Sequence, residues 1–80
     1  MVNMKSILKY LVDNDFNIDS SSDINISANK HDGKYKVMVF INNFNNEFLL
    51  QIMSSYTNPV RKFEYSTNSK EKVIEILNSH

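Results

Sequence analysis

Met4, Ile7, Leu8 and Leu11 recur at the i, i+3, i+4, i+7 spacing of an amphipathic helix, with Lys5, Lys9 and Asp13 on the other side. The spacing predicts a helix over 4–12, with Asn3 as its N-cap and Asp13-Asn14-Asp15 as its stop. The period then changes from helical to two. Phe16, Ile18, Ile24, Ile26 and Ala28 all fall on even positions, which is a strand pattern. A single strand over 16–28 would run about 43 Å at roughly 3.3 Å per residue, too long for a domain this small. The polar run Ser20-Ser21-Ser22-Asp23 is therefore read as a bend, and the firm strand as 23–29.

Asp32-Gly33 is the strongest hairpin signal in the chain, because a type I′ turn needs positive φ at its central residues. With those two residues as the turn, Ile26 is expected opposite Val39, Ile24 opposite Ile41 and Ala28 opposite Val37. A second hairpin joins strands over 34–42 and 47–56 through a loop at 43–46, and sets Ile41 against Phe48, Val39 against Leu50 and Val37 against Ile52. In this register the apolar residues of three strands share one face. Asn58-Pro59 ends the third strand, and 60–66 is expected as an edge strand with Phe63 and Tyr65 facing the core. Asn68 with Glu71 three residues on resembles a capping box, and Val73, Ile74 and Leu77 mark a helix over 69–78. The predicted fold is one α+β domain, 1–80, with an antiparallel meander of three or four strands. An N-terminal and a C-terminal helix flank it, both on one sheet face.

With no Cys, a disulfide, a Cys-ligated zinc and a thiol nucleophile are all excluded. That absence fits a reducing, cytoplasmic location. Nine Lys plus Arg balance nine Asp plus Glu, so no net field steers the chain toward nucleic acid or membrane. A hydrophobic content of 41% is enough for a core. The apolar runs are far shorter than a membrane span, so no membrane partner is expected. The first helix carries Lys5 and Lys9 and does not read as the apolar region of a signal peptide.

Chemistry-bearing patterns are few. Asp13-x-Asp15-x-Asn17-x-Asp19 begins like a calcium loop, but Ile18 and Ile24 stand where such a loop needs Gly and Glu. His31 and His80 have no second His at helical spacing, and a single Gly cannot build a phosphate cradle. No catalytic residue, metal site or cofactor is therefore expected. Lys34-Tyr35-Lys36 and Arg61-Lys62-Phe63-Glu64-Tyr65 mix cations with aromatics, as nucleic-acid-binding sheets do. Here Tyr35, Phe63 and Tyr65 are expected on the core side and Lys36 and Lys62 on the other, so stacking groups and charges are split.

The opposite sheet face carries Asn25, Ser27 and Asn29, then Lys36, Met38 and Phe40, then Leu49, Gln51 and Met53. Phe40 is expected opposite Leu49, flanked diagonally by Met38 and Met53. An exposed apolar patch inside a polar rim is the composition of a protein interface. A helix packed on this face, or loop 43–46 folded over it, would remove the patch. The acidic residues Asp13, Asp15, Asp19 and Asp23 form an alternative docking segment for a basic partner.

Ile7-Leu8-x-x-Leu11, Phe16-x-Ile18, Tyr35-x-Val37-x-Val39-x-Ile41, Phe48 and Ser55-Tyr56 resemble the first half of YbjN-type, type III secretion chaperone-like domains. Lys72–Asn78 resembles the helix that follows there. That resemblance implies protein binding without catalytic residues, in a fold whose second half this chain lacks. Size, Asn-rich composition and helix–sheet–helix order are also similar to small phage inhibitors of host defence, including anti-CRISPR proteins. The expected function is a non-enzymatic protein-binding module, an inhibitor or adaptor of a host complex. A nucleic-acid-binding module and a structural homodimer are the alternatives.

Overall fold

The computed structural model describes residues 4–33, 35–54 and 61–79, apart from the side chains of Asp32 and Tyr35. The expected Asn3 cap, the Asn58-Pro59 break, the Tyr35 side chain and His80 lie outside that part. Helix α1 spans Lys5–Asp13. Strands β1 (Asn17–Ser21), β2 (Asn25–Asp32), β3 (Tyr35–Phe44), β4 (Glu47–Ser54) and β5 (Arg61–Thr67) follow, and helix α2 (Lys70–Asn78) closes the order. Each strand pairs antiparallel with the next, in one open sheet ordered β1-β2-β3-β4-β5. The α+β antiparallel meander holds, with five strands rather than three or four.

The extra strand is β1. After α1, Asn14 caps the helix and Asp15 turns left-handed at φ 68. Phe16 N–H donates to Leu11 O at 2.9 Å and Asp15 N–H to Val12 O at 3.2 Å. This is a Schellman closure with Asp in the place usually held by Gly, and it brings Phe16 back over the end of the helix. Phe16 packs on the core from there rather than from within a strand. The chain then runs out along β2, and Ile18 joins the core edge. At Ser22 it bends: Ser22 Oγ accepts from Ile24 N–H at 3.2 Å and from Asn25 N–H at 3.1 Å. This local turn leaves Ile24 64% exposed, against the expectation that it faces the core, although its carbonyl still accepts from Asn43 N–H at 2.8 Å.

Both hairpins slide by two residues from the expected register. Gly33, at φ 62, lies beyond the last pair, Asp32 opposite Tyr35. Ile26 therefore faces Ile41 rather than Val39, and Ala28 faces Val39 rather than Val37. The second hairpin turns through Asn45 and Asn46 alone, at φ 52 and 62. Phe44 thus pairs with Glu47, Ile41 with Leu50, Val39 with Ile52 and Val37 with Ser54. Two adjacent left-handed residues give a type I′ turn, which Asn tolerates. A slide of two preserves which face each side chain occupies, so the sharing of one face could not discriminate between these registers.

One face of the sheet holds the core. Ile26, Ala28, Val37, Val39, Ile41, Phe48, Leu50 and Ile52 are buried together with Ile7 and Leu11 of α1 and Val73, Ile76 and Leu77 of α2. Both helices contribute to this one cluster and also touch each other. Tyr10 Oη donates to Asn78 Oδ1 at 3.2 Å across them. Ser69, not Asn68, caps α2: its hydroxyl accepts from Lys72 N–H at 3.3 Å and donates to Glu71 Oε2 at 3.1 Å. Helix α1 has Met4 at its cap position and no side-chain cap.

Candidate functional site

The outer face of the sheet is built by the strand positions that alternate with the core. The helices are occupied on the inner side, and no described outer-face residue is buried. Register orders this face into rows across the strands. One row reads Asn29, Met38, Met53, Lys62; the next Ser27, Phe40, Gln51, Glu64; the third Asn25, Asn42, Leu49, Ser66. Met38 is directly opposite Met53. Phe40 faces Gln51, not Leu49 as expected, while Leu49 faces Asn42. Leu49 and Met53 are the diagonal neighbours of Phe40, about 7–8 Å away and within reach of an aromatic ring. The four candidate residues thus stay on one face as a contiguous strip along β3 and β4, with the direct and diagonal contacts exchanged.

Phe44 extends the strip. It lies in the same alternation as Met38 and Phe40, diagonal to Leu49, and is 68% exposed. Sequence reasoning missed it by assigning it to a loop. The available signal was Asn45-Asn46, two residues tolerant of left-handed φ that could close a hairpin alone and so extend the strand to Phe44. The strip ends at the hairpin tip, where nothing described covers Phe44.

Polar residues flank the strip on both sides. Toward β1, a shallow depression of about 210 Å³ is lined by Ser20, Asn25, Ser27, Phe40 and Asn42. Toward β5, an open groove of about 350 Å³ runs along Leu49, Gln51, Glu64 and Ser66. Charges on this side balance: Lys62 Nζ pairs with Glu64 Oε1 at 3.1 Å. Asp19 accepts from Asn29 Nδ2 with both carboxylate oxygens, at 3.0 and 2.9 Å.

The acidic candidates are not brought into one site. Asp13 ends α1 and pairs with Lys9 at 3.9 Å, Asp15 is the left-handed residue of the helix closure, Asp19 is bonded to Asn29 on β2, and Asp23 is exposed in the bend. Among the described residues, no three or more His, Cys, Asp or Glu side chains form a group able to hold a metal ion. Phe63 and Tyr65 are half-buried against the core, with Arg61 on their side of β5, while Lys62 is exposed on the outer face, so no aromatic of β5 shares that face with Lys62. Among the described residues no helix is long and apolar enough to cross a membrane.

Among the described residues, the one resolved pKa displacement lies away from this face. The Glu71 carboxyl is held below its ordinary 4.5 by hydrogen bonds from its own backbone N–H and from Ser69, with help from Lys70. This is the signature of a helix N-terminus.

No family model, curated protein or solved structure matches the chain.

Proposed function

We propose that this protein is a non-enzymatic protein-binding module whose site is the outer sheet face, centred on Met38, Phe40, Leu49 and Met53 and extended by Phe44. The observation that carries the reading is a five-stranded sheet with both helices in the core on one side and, on the other, an apolar strip in which Phe44 and Leu49 are exposed and Met38, Phe40 and Met53 partly so. Five strands about 4.8 Å apart and about eight residues long span a face of roughly 600 Å². A standard protein interface takes about 800 Å² from each partner, so the face is of the right scale for one docking event. Met and Phe at its centre with Asn, Ser and Gln around them match the core-and-rim composition of such interfaces.

The finer form of the proposal is an inhibitor or adaptor acting in the cytoplasm on a host complex, as small phage anti-defence proteins do. It rests on size and element order. Nucleic-acid binding is disfavoured, because the aromatics of β5 face the core and the outer charges are balanced. The test is comparative capture from host lysate with wild-type protein and a Leu49→Lys/Phe44→Ser double variant. A protein retained by the wild type and lost with the double variant supports the face. Retention by both, or tight salt-dependent binding of random RNA instead, contradicts it.

A further inference from the structure

The two edges of the sheet are unlike. Strand β1 is five residues long and bulged between Ile18 and Ser20, a device that blunts an edge against strand pairing. Strand β5 is seven residues long and pairs with β4 in unbroken register. Which of its backbone groups face outward follows from the ladder. Asn43 N–H donates to Ile24 O at 2.8 Å, so odd-numbered residues of β3 bond toward β2. A strand residue points its N–H and C=O to the same side, and the sides alternate. Even residues of β3 therefore bond toward β4, to its odd residues. Even residues of β4 then bond toward β5, to Arg61, Phe63, Tyr65 and Thr67. This leaves the backbone groups of Lys62, Glu64 and Ser66 directed at an edge beyond which no described strand lies.

We propose that β5 pairs antiparallel with β5 of a second copy of this chain, with Phe63 on the two-fold axis. In an antiparallel pair, outward-bonding residues must face outward-bonding residues. Among 61–67 the choices are then few. Lys62 against Lys62 and Glu64 against Glu64 set like charges in contact, and Glu64 against Ser66 adds no opposite charge to the Lys62–Glu64 pair that each strand already holds at 3.1 Å. Only one register sets Lys62 opposite Glu64 of the second copy and, by symmetry, Glu64 opposite its Lys62. Cross-strand pairs of opposite charge stabilise and like pairs destabilise, so charge selects this register. On the inner side, Phe63 then meets its own copy and Arg61 lies opposite the aromatic ring of Tyr65, a favourable cation–π pairing. The result is a ten-stranded sheet with the two outer faces side by side. Its symmetry is isologous, so the contact closes at two copies.

The experiment is sedimentation velocity on the full chain over a concentration series reaching about 1 mM, with charge-swapped variants. Wild-type protein is expected to dimerise. Lys62→Glu alone and Glu64→Lys alone each create two like-charge contacts per dimer, and should weaken it by about tenfold. The Lys62→Glu/Glu64→Lys double variant restores both pairs in reverse and should return the dissociation constant to within about threefold of wild type. Both positions are exposed, and circular dichroism confirms the fold. A wild-type chain that stays monomeric at about 1 mM overturns the proposal. So does a dimer indifferent to the single swaps, or one that the double variant fails to restore. A dimer lost in Phe40→Asp but unaffected by the swaps would also overturn it, and would assign self-association to the outer face instead.

Discussion

Leu49 and Leu50 are adjacent in β4, yet Leu50 is 1% exposed and Leu49 44%. The inner and outer faces of the sheet differ in the same way along their whole length. Inside, Ile26, Ala28, Val37, Val39, Ile41, Phe48, Leu50 and Ile52 belong to one buried cluster, with the partly buried Lys30 and Asn43 at its margins. Outside, residues of similar hydrophobicity stand within polar neighbours, Leu49 exposed and Met38, Phe40 and Met53 partly buried. The folded state gains from the first set. The second set is less buried, and under the proposed function its apolar character serves association. The two faces therefore separate residues sealed in the core from residues that keep part of their surface in solvent.

The largest effect should come from Leu50→Ala. Truncating a sealed leucine removes its burial and leaves a cavity, at about 2–5 kcal/mol. Leu49→Ala should cost far less, about 0.5–1 kcal/mol, because nearly half of the residue is already in water. Denaturant unfolding of the two variants measures the contrast, and equal losses would erase the distinction between the faces.

Next is Gly33→Val. A Cβ there meets nothing within 4 Å, so the expected loss of about 1–2 kcal/mol is purely one of backbone strain at φ 62. Gly33→Asn should recover most of it, since Asn tolerates this region. An unchanged melting temperature in Gly33→Val would remove the left-handed turn from the account. Smaller still is Ser69→Ala, which removes the cap of α2 and should lower stability by about 1 kcal/mol.

Glu71 supplies the weakest and most specific signal. Its folded pKa lies below its ordinary 4.5, so its contribution is present above that value and is lost as pH falls through the folded pKa. Glu71→Gln should therefore flatten the acid end of a melting-temperature profile below about pH 4.5 and change little at neutral pH. A steeper acid loss in the variant would contradict the assignment.

Much of this was legible in the sequence because alternation carries face identity directly. Ile26, Val39, Ile41, Leu50 and Ile52 could be placed inside, and Met38, Phe40, Leu49 and Met53 outside, from period two alone. Register was not legible to the same degree. A slide of two leaves every face intact, and only the turn geometry at Gly33 and at Asn45-Asn46 settles it. Phe44 was missed for that reason: its place on the outer face depends on where the turn begins. Ile24 was misplaced because alternation continues through Ser22, whereas the chain does not; hydroxyl bonds to Ile24 and Asn25 redirect it. Strand β1 was hidden by its polar composition, Asn-Ile-Asp-Ser-Ser, in which only Ile18 signals the core.

Phe40→Asp tests the central claim most directly, by pairing a thermal melt with a titration against the partner that wild-type protein captures. The substitution places a charge on the open face, where a strand substitution costs on the order of 1 kcal/mol, so the domain should melt within several degrees of wild type. In the complex the same charge would be desolvated without a partner, and binding should fall by at least about thirtyfold, the loss typical of a hot spot. A folded Phe40→Asp protein that binds with wild-type affinity would contradict the claim that this face is the site.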